Sequence, residues 1–155
     1  MVGNDIVDLR DPRTFRVHPR SDSRIFTRAE KQLIESRHIR WGLWACKEAA
    51  YKACKRLDPS AVFIPVLFEV QGWADKVAVH WKRQTVQVCV ETNDDFAHAW
   101  TAGSITAIGK RDTEARLLAS RMPGGQESFA YHGRFVAVAV LAECECVNTS
   151  SSTCI

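Results

Sequence analysis

Asp58-Pro59 splits this chain into two textures, and that switch constrains its fold more than any other feature. Ahead of it, residues 40–57 (RWGLWACKEAAYKACKRL) are good helix formers. A residue before proline is pushed out of the helical region, so the spacing predicts a helix over 40–57 that stops there. Thr27-Arg28-Ala29-Glu30 has the capping-box form, with Thr27 as N-cap and Glu30 three residues on, and predicts a helix over 28–37. Beyond Pro59, residues 62–70, 76–81, 85–91 and 96–102 alternate or carry β-branched and aromatic side chains, so they are predicted strands. Gly72, 82–84 and 93–95 are their turns. Residues 112–121 read as a short helix and 122–127 as a loop. Residues 128–143 read as one strand, or two joined by Gly133.

The opening, VGNDIVDL (2–9), reads as a short strand. Residues 10–23 are Arg- and Pro-rich and read as a loop, because Pro12 and Pro19 interrupt regular structure. No internal repeat is present. The expected organisation is one α+β domain over 1–146, helices early and an antiparallel sheet later, followed by a disordered Ser/Thr-rich tail at 147–155.

Composition excludes several classes. No stretch approaches the ~20 apolar residues of a membrane span, so no membrane association is expected. The N-terminus carries acids and lacks an apolar core, so no signal peptide is expected. The spacings of Cys46, Cys54, Cys89, Cys144, Cys146 and Cys154 fit no zinc template. Together these readings predict reduced thiols and a cytoplasmic location. Residues 1–60 hold 13 Lys/Arg against 8 Asp/Glu, whereas 61–155 hold 8 against 10, so anionic partners should meet the front of the chain. Trp41 and Trp44 accompany those bases, but no nucleic-acid reader motif is present, so no nucleic-acid partner is expected.

Two groups of residues can carry chemistry. Gly3-Asn4-Asp5-Ile6-Val7-Asp8 puts two carboxylates beside a glycine at a strand start. Lys47-Glu48-Ala49-Ala50-Tyr51-Lys52 puts Glu48 and Lys52 four apart on one helix face, with Trp44 on the same stripe. Singly, the first also reads as a turn acid and the second as a solvated ion pair.

Together, GNDIVDL, then RIFTRAE, then WACKEAAYKA resemble in order and spacing the phosphopantetheinyl transferases. That family carries a G-x-D-I-x-x-[IL] start, an [IL]-[FL]-T-x-x-E helix opening and an F/W-[AS]-x-K-E-[AS]-x-x-K helix. The resemblance is close over 2–70 and returns near 126–142. It implies the family's α+β fold, with an antiparallel sheet packed on a long helix. It also implies Mg²⁺-dependent transfer of the 4′-phosphopantetheine arm of coenzyme A to a serine of an acyl or peptidyl carrier protein, as in the holo-acyl-carrier-protein synthase type. By this resemblance Asp5 and Glu48 are the Mg²⁺ ligands, Glu48 is also the catalytic base, and Lys52 is the charge-stabilising catalytic residue. Lys47 is a candidate contact for coenzyme A or the carrier. Val7 stands where some members carry a second acid, and Asp8 reads as structural. Arg10, Arg13, Arg16, Arg20, Arg24 and Arg28 suit an acidic carrier helix or a nucleotide phosphate.

The family's late S-x-[ST]-H motif is altered here. Ser128 fits, but Ala130 and Tyr131 replace the hydroxyl and the histidine, and His132 comes one residue late. Ser128 and His132 are carried as coenzyme A contacts, His132 only if a bulge re-aims it. The altered motif also keeps open a non-catalytic coenzyme A or carrier-binding module of the same fold. One module per chain makes a homo-oligomer that completes the site plausible, with residues 71–125 as substitute walls in a monomer.

Overall fold

The computed structural model describes residues 1–15, 18–110, 112–121 and 125–141. Arg16, Cys144, Cys146, Cys154, the boundary at 146 and the tail at 147–155 lie outside the described residues.

In chain order the elements are β1 (Asn4–Asp8), a 3₁₀ turn (Pro12–Thr14), α1 (Pro19–Ile25), α2 (Arg28–Leu33) and α3 (Arg37–Leu57). A second 3₁₀ turn (Pro65–Leu67) precedes β2 (Glu69–Gln71), β3 (Lys76–Trp81), β4 (Gln84–Thr92), β5 (Phe96–Thr101) and β6 (Ser104–Gly109). Then come α4 (Asp112–Ser120), β7 (Glu127–His132) and β8 (Phe135–Leu141). The strands form two antiparallel sheets, ordered β1-β5-β4-β3-β2 and β6-β8-β7. The α+β class holds.

The differences from the expected elements have local causes. Residues 10–23 are not one loop: Pro19 is the first residue of α1, where its missing N–H costs nothing, and the His18 ring caps the helix by accepting from Arg20 N–H. The capping box at Thr27 and Glu30 forms as expected. However, α2 stops at Leu33, and α3 restarts at Arg37 because the Ser36 hydroxyl accepts from Ile39 N–H. Of the strand expected over 62–70 only Glu69–Gln71 forms, since Pro65 opens a 3₁₀ turn. β6 (SITAIG) was not assigned from the sequence, although Ile105, Thr106 and Ile108 favour strand. It forms because β8 (FVAVAVL) is buried through its interior, and β6 covers one edge of it as β7 covers the other.

The main core lies between α3 and the larger sheet. α3 turns Leu43, Ala45, Cys46, Ala49, Ala50, Ala53 and Cys54 inward, mostly small side chains that let the sheet come close. β1 alternates between two cores. Val7 joins α3's core, and Ile6 joins Ala130 and Ala137 of the second sheet. Gly3 sets the close approach of β1 to α3. A Cβ there would lie 2.1 Å from Ala49 O and 2.8 Å from Ala53 N, both backbone atoms that cannot swing aside. Gly3→Ala should therefore push β1 off α3 and cost about 1–3 kcal/mol, read as a lowered urea midpoint. An unchanged midpoint would contradict this packing.

Candidate functional site

On α3, Trp41, Trp44, Glu48 and Lys52 follow one another at helical spacing and line one wall of a cleft of about 450 Å³. Asp5 and Ile6 of β1 form its floor, and Phe129–His132 of β7 form the far wall. Asp5 belongs to the β1 face that meets α3. Lys52 Nζ donates to Asp5 Oδ1 at 2.9 Å and to the Asn4 carbonyl at 2.8 Å. Trp41 is steadied by its Nε1–H on the Thr14 carbonyl.

Two carboxylates in one cleft disfavour each other's ionised form. Burial pushes the Glu48 carboxyl up to about 7, Asp5's negative charge adds to this, and Lys52 works against it. Burial also raises Asp5, against the pull of the Lys52 ammonium and the Ile6 N–H. Such a pair gains from a cation between its members. Among the described residues, no three His, Cys, Asp or Glu side chains converge as a metal site. A hard cation that takes one or two carboxylates plus substrate oxygens fits this donor set; a cation needing a full protein cage does not.

Of the residues singled out in the sequence, Asp5, Glu48, Lys52 and His132 come together. Lys47 does not, and the expectation that it contacts coenzyme A or the carrier is corrected. Its side chain is fully buried on a different face of α3, about 100° round the helix from Glu48, with Nζ on Glu30 Oε1 at 2.6 Å and on the Phe68 and Pro65 carbonyls. Ser128 is buried, and its Oγ accepts from Asn4 N–H at 3.2 Å, joining β7 to the edge of β1 rather than lining the cleft. His132 reaches the cleft without the bulge that the sequence demanded. β7 pairs with β8 in unbroken register, and His132 shares the Ser128 face, which meets β1. Ala130 is buried against Ile6, and Tyr131 lies exposed on the rim, stacked along Phe129. Phe129 and Tyr131 were missed as lining residues; their alternation with Ser128, Ala130 and His132 was the available signal. Of the arginines ahead of α3, Arg10 pairs with Asp95 and Arg13 with Asp11, while Arg20, Arg24 and Arg28 do not line the cleft.

A family model described as the 4′-phosphopantetheinyl transferase superfamily matches residues 1–106. The chain belongs to this superfamily. The match takes in Asp5, Glu48 and Lys52, but ends before the β7 wall that closes this transferase cleft. The holo-[acyl-carrier-protein] synthase of Thermotoga maritima is similar in structure, with a TM-score of 0.48 and 19% identity, covering 79% of this chain and 74% of that one. No curated protein matches the sequence. Among the described residues, no helix of this phosphopantetheinyl transferase family member is long and apolar enough to cross a membrane.

Proposed function

We propose that this superfamily member moves the 4′-phosphopantetheine arm of coenzyme A onto a serine of an acyl or peptidyl carrier protein in the cytoplasm. The observation that carries this reading is the meeting of Asp5, Glu48 and Lys52 in one cleft. The serine oxygen attacks the phosphorus that bears the pantetheine arm. A new P–O bond forms, the bond to the bridging pyrophosphate oxygen breaks, and 3′,5′-ADP leaves. Such a reaction depends mostly on positioning and charge stabilisation.

Glu48 takes the serine proton. A carboxyl titrating at about 7 is a better base than an ordinary glutamate and is still substantially ionised at neutral pH. Lys52, anchored on Asp5 and the Asn4 carbonyl, adds positive charge where the leaving phosphate gains negative charge. Asp5 and Glu48 would hold Mg²⁺, which when bound neutralises pyrophosphate charge. Trp41, Trp44 and the β7 wall line the reacting centre. One chain supplies both walls of the cleft, which supports a monomer as the working unit.

Incubation with Mg²⁺, coenzyme A and apo carrier proteins tests the proposal. A carrier mass gain equal to the phosphopantetheine arm supports it; tight coenzyme A binding with no transfer supports the binding-only module, the reading that Ala130 and Tyr131 in the late motif keep open. A second result is expected from pH. Catalysis needs Glu48 deprotonated, so the rate at limiting coenzyme A should rise with pH through about 7. Raising Mg²⁺ should move that inflection to lower pH, because the cation competes with the proton. At limiting Mg²⁺, a rate flat from pH 6 to 8 (roughly one unit either side of that value) counts against Glu48 as the base.

A further inference from the structure

We propose that Asp8 and Arg134 are positioning residues for this transfer, fixing His132 as a neutral tautomer whose Nε2–H donates to a phosphate oxygen of coenzyme A; this rests on the transferase reading above.

The argument starts at the outer edge of β1. Asn4 N–H is met there by Ser128 Oγ, and Asp8 N–H donates to His132 Nδ1 at 3.1 Å. A ring nitrogen that accepts from a backbone N–H carries no proton, so in the neutral imidazole the proton sits on Nε2. Nε2 has no hydrogen-bond partner among the described residues. The ring lines both the Glu48 cleft and a neighbouring groove of about 360 Å³ that also holds Arg13, Lys110 and Arg134. His132 thus stands where the two spaces meet, with one donor to offer.

What keeps the ring in this attitude is a clamp on the turn behind it. The Asp8 carboxylate accepts from Arg134 N–H at 2.9 Å and from its guanidinium Nε and Nη2, both at 2.8 Å. It also accepts from Arg10 N–H at 2.9 Å. Asp95 extends the network to the side chains of Arg10 and Arg134. Gly133 makes the close turn possible. It adopts φ +54°, and a Cβ there would come within 2.5 Å of Asp8 Oδ2. Arg134 holds the Asp8 carboxyl well below the usual carboxylate range, so the clamp stays charged at any working pH. Asp8 therefore acts on the ring twice: its backbone selects the tautomer, and its side chain holds the turn that brings the ring to that backbone.

The test uses the full chain with ¹⁵N-labelled histidine, Mg²⁺ and coenzyme A. In the parent, the His132 spectrum should show a protonated Nε2 and a bare Nδ1. Arg134→Ala removes the guanidinium from a half-exposed position and leaves the buried Asp8 carboxylate only the Arg10 and Arg134 backbone N–H groups, so the variant is compared with the parent below its own unfolding midpoint. It should give a mixture of tautomers and weaken coenzyme A binding about 10-fold, the effect of one hydrogen bond to a charged group. The KM for carrier and kcat should change little. Arg134→Lys should recover part of the loss, and His132→Gln should bind coenzyme A better than His132→Ala, since its amide still offers an N–H. A parent protonated at Nδ1, or an Arg134→Ala variant with unchanged spectrum and affinity, overturns the proposal. A parent that binds coenzyme A but transfers nothing overturns the transferase reading instead, and the spectrum still decides how the ring is held.

Discussion

Glu48→Gln should all but stop transfer while making the protein more stable at pH 8. The two effects share one cause. Glutamine keeps the size and the hydrogen-bonding oxygen but cannot accept the serine proton, and loss of a positioned general base costs about 10²–10⁴ in rate. On the stability side, Glu48 is an acid whose folded value, about 7, lies above its ordinary 4.5. The folded state then holds the proton more tightly than the unfolded chain does. Stability is full below about 4.5, falls as pH rises toward 7, and stays reduced above it. Glutamine carries no charge into the cleft, so the variant escapes that loss, an expected gain of about 1–3 kcal/mol at pH 8 that fades below pH 5. Thermal unfolding at both pH values, beside the carrier mass assay, reads the two effects. A variant within tenfold of the parent's rate, or a stability difference that ignores pH, would remove Glu48 from its proposed role.

Lys47→Met should cost about 3–5 kcal/mol, the usual penalty for stranding one member of a buried ion pair. Few substitutions in a chain with about 5–15 kcal/mol of total stability do more. Lys47 and Glu30 are both fully buried. Glu30 is a junction: Oε1 accepts from Lys47 Nζ and from Val70 N–H at 2.7 Å, and Oε2 accepts from Thr27 N–H at 2.7 Å. That one carboxylate caps α2, starts β2 and receives the ammonium from α3. With methionine at 47 its charge stays buried beside two backbone donors and no cation. Adding Glu30→Gln should return a large part of the loss, because the amide oxygen still accepts while the charge is gone. Urea unfolding of the single and double variants measures this; a single-variant loss below ~1 kcal/mol would mean that water reaches Glu30.

This pair also marks where sequence reading stopped. The motif around α3 was legible because Glu48 and Lys52 lie four apart and Asp5 sits in a patterned strand start. Helical spacing puts Lys52, and not Lys47, on the stripe of Trp44 and Glu48, but it does not say that the Lys47 face is buried. That burial depends on where β2 and α2 pack. His132 misled for a related reason. The spacing of its motif is one residue off, and side-chain alternation alone turns it away. Its actual direction comes from the way β7 lies along β1, a long-range pairing with no short-range signature. β6 was missed although Ile105, Thr106 and Ile108 favour strand: the run is short, ends in Gly109, and its partner β8 lies far along the chain. By contrast, α3, β3, β4 and β5 announce themselves through residues that agree with their surroundings.

Among the described residues β5 is the strand that pairs with β1, with Asp8 opposite Phe96 and Asn4 opposite Trp100. During synthesis β1 leaves the ribosome long before β5 exists to pair with it. Joining ends so far apart carries a loop-closure penalty that grows slowly with length and delays folding. Chaperone occupancy on the nascent chain should therefore persist until β5 has emerged.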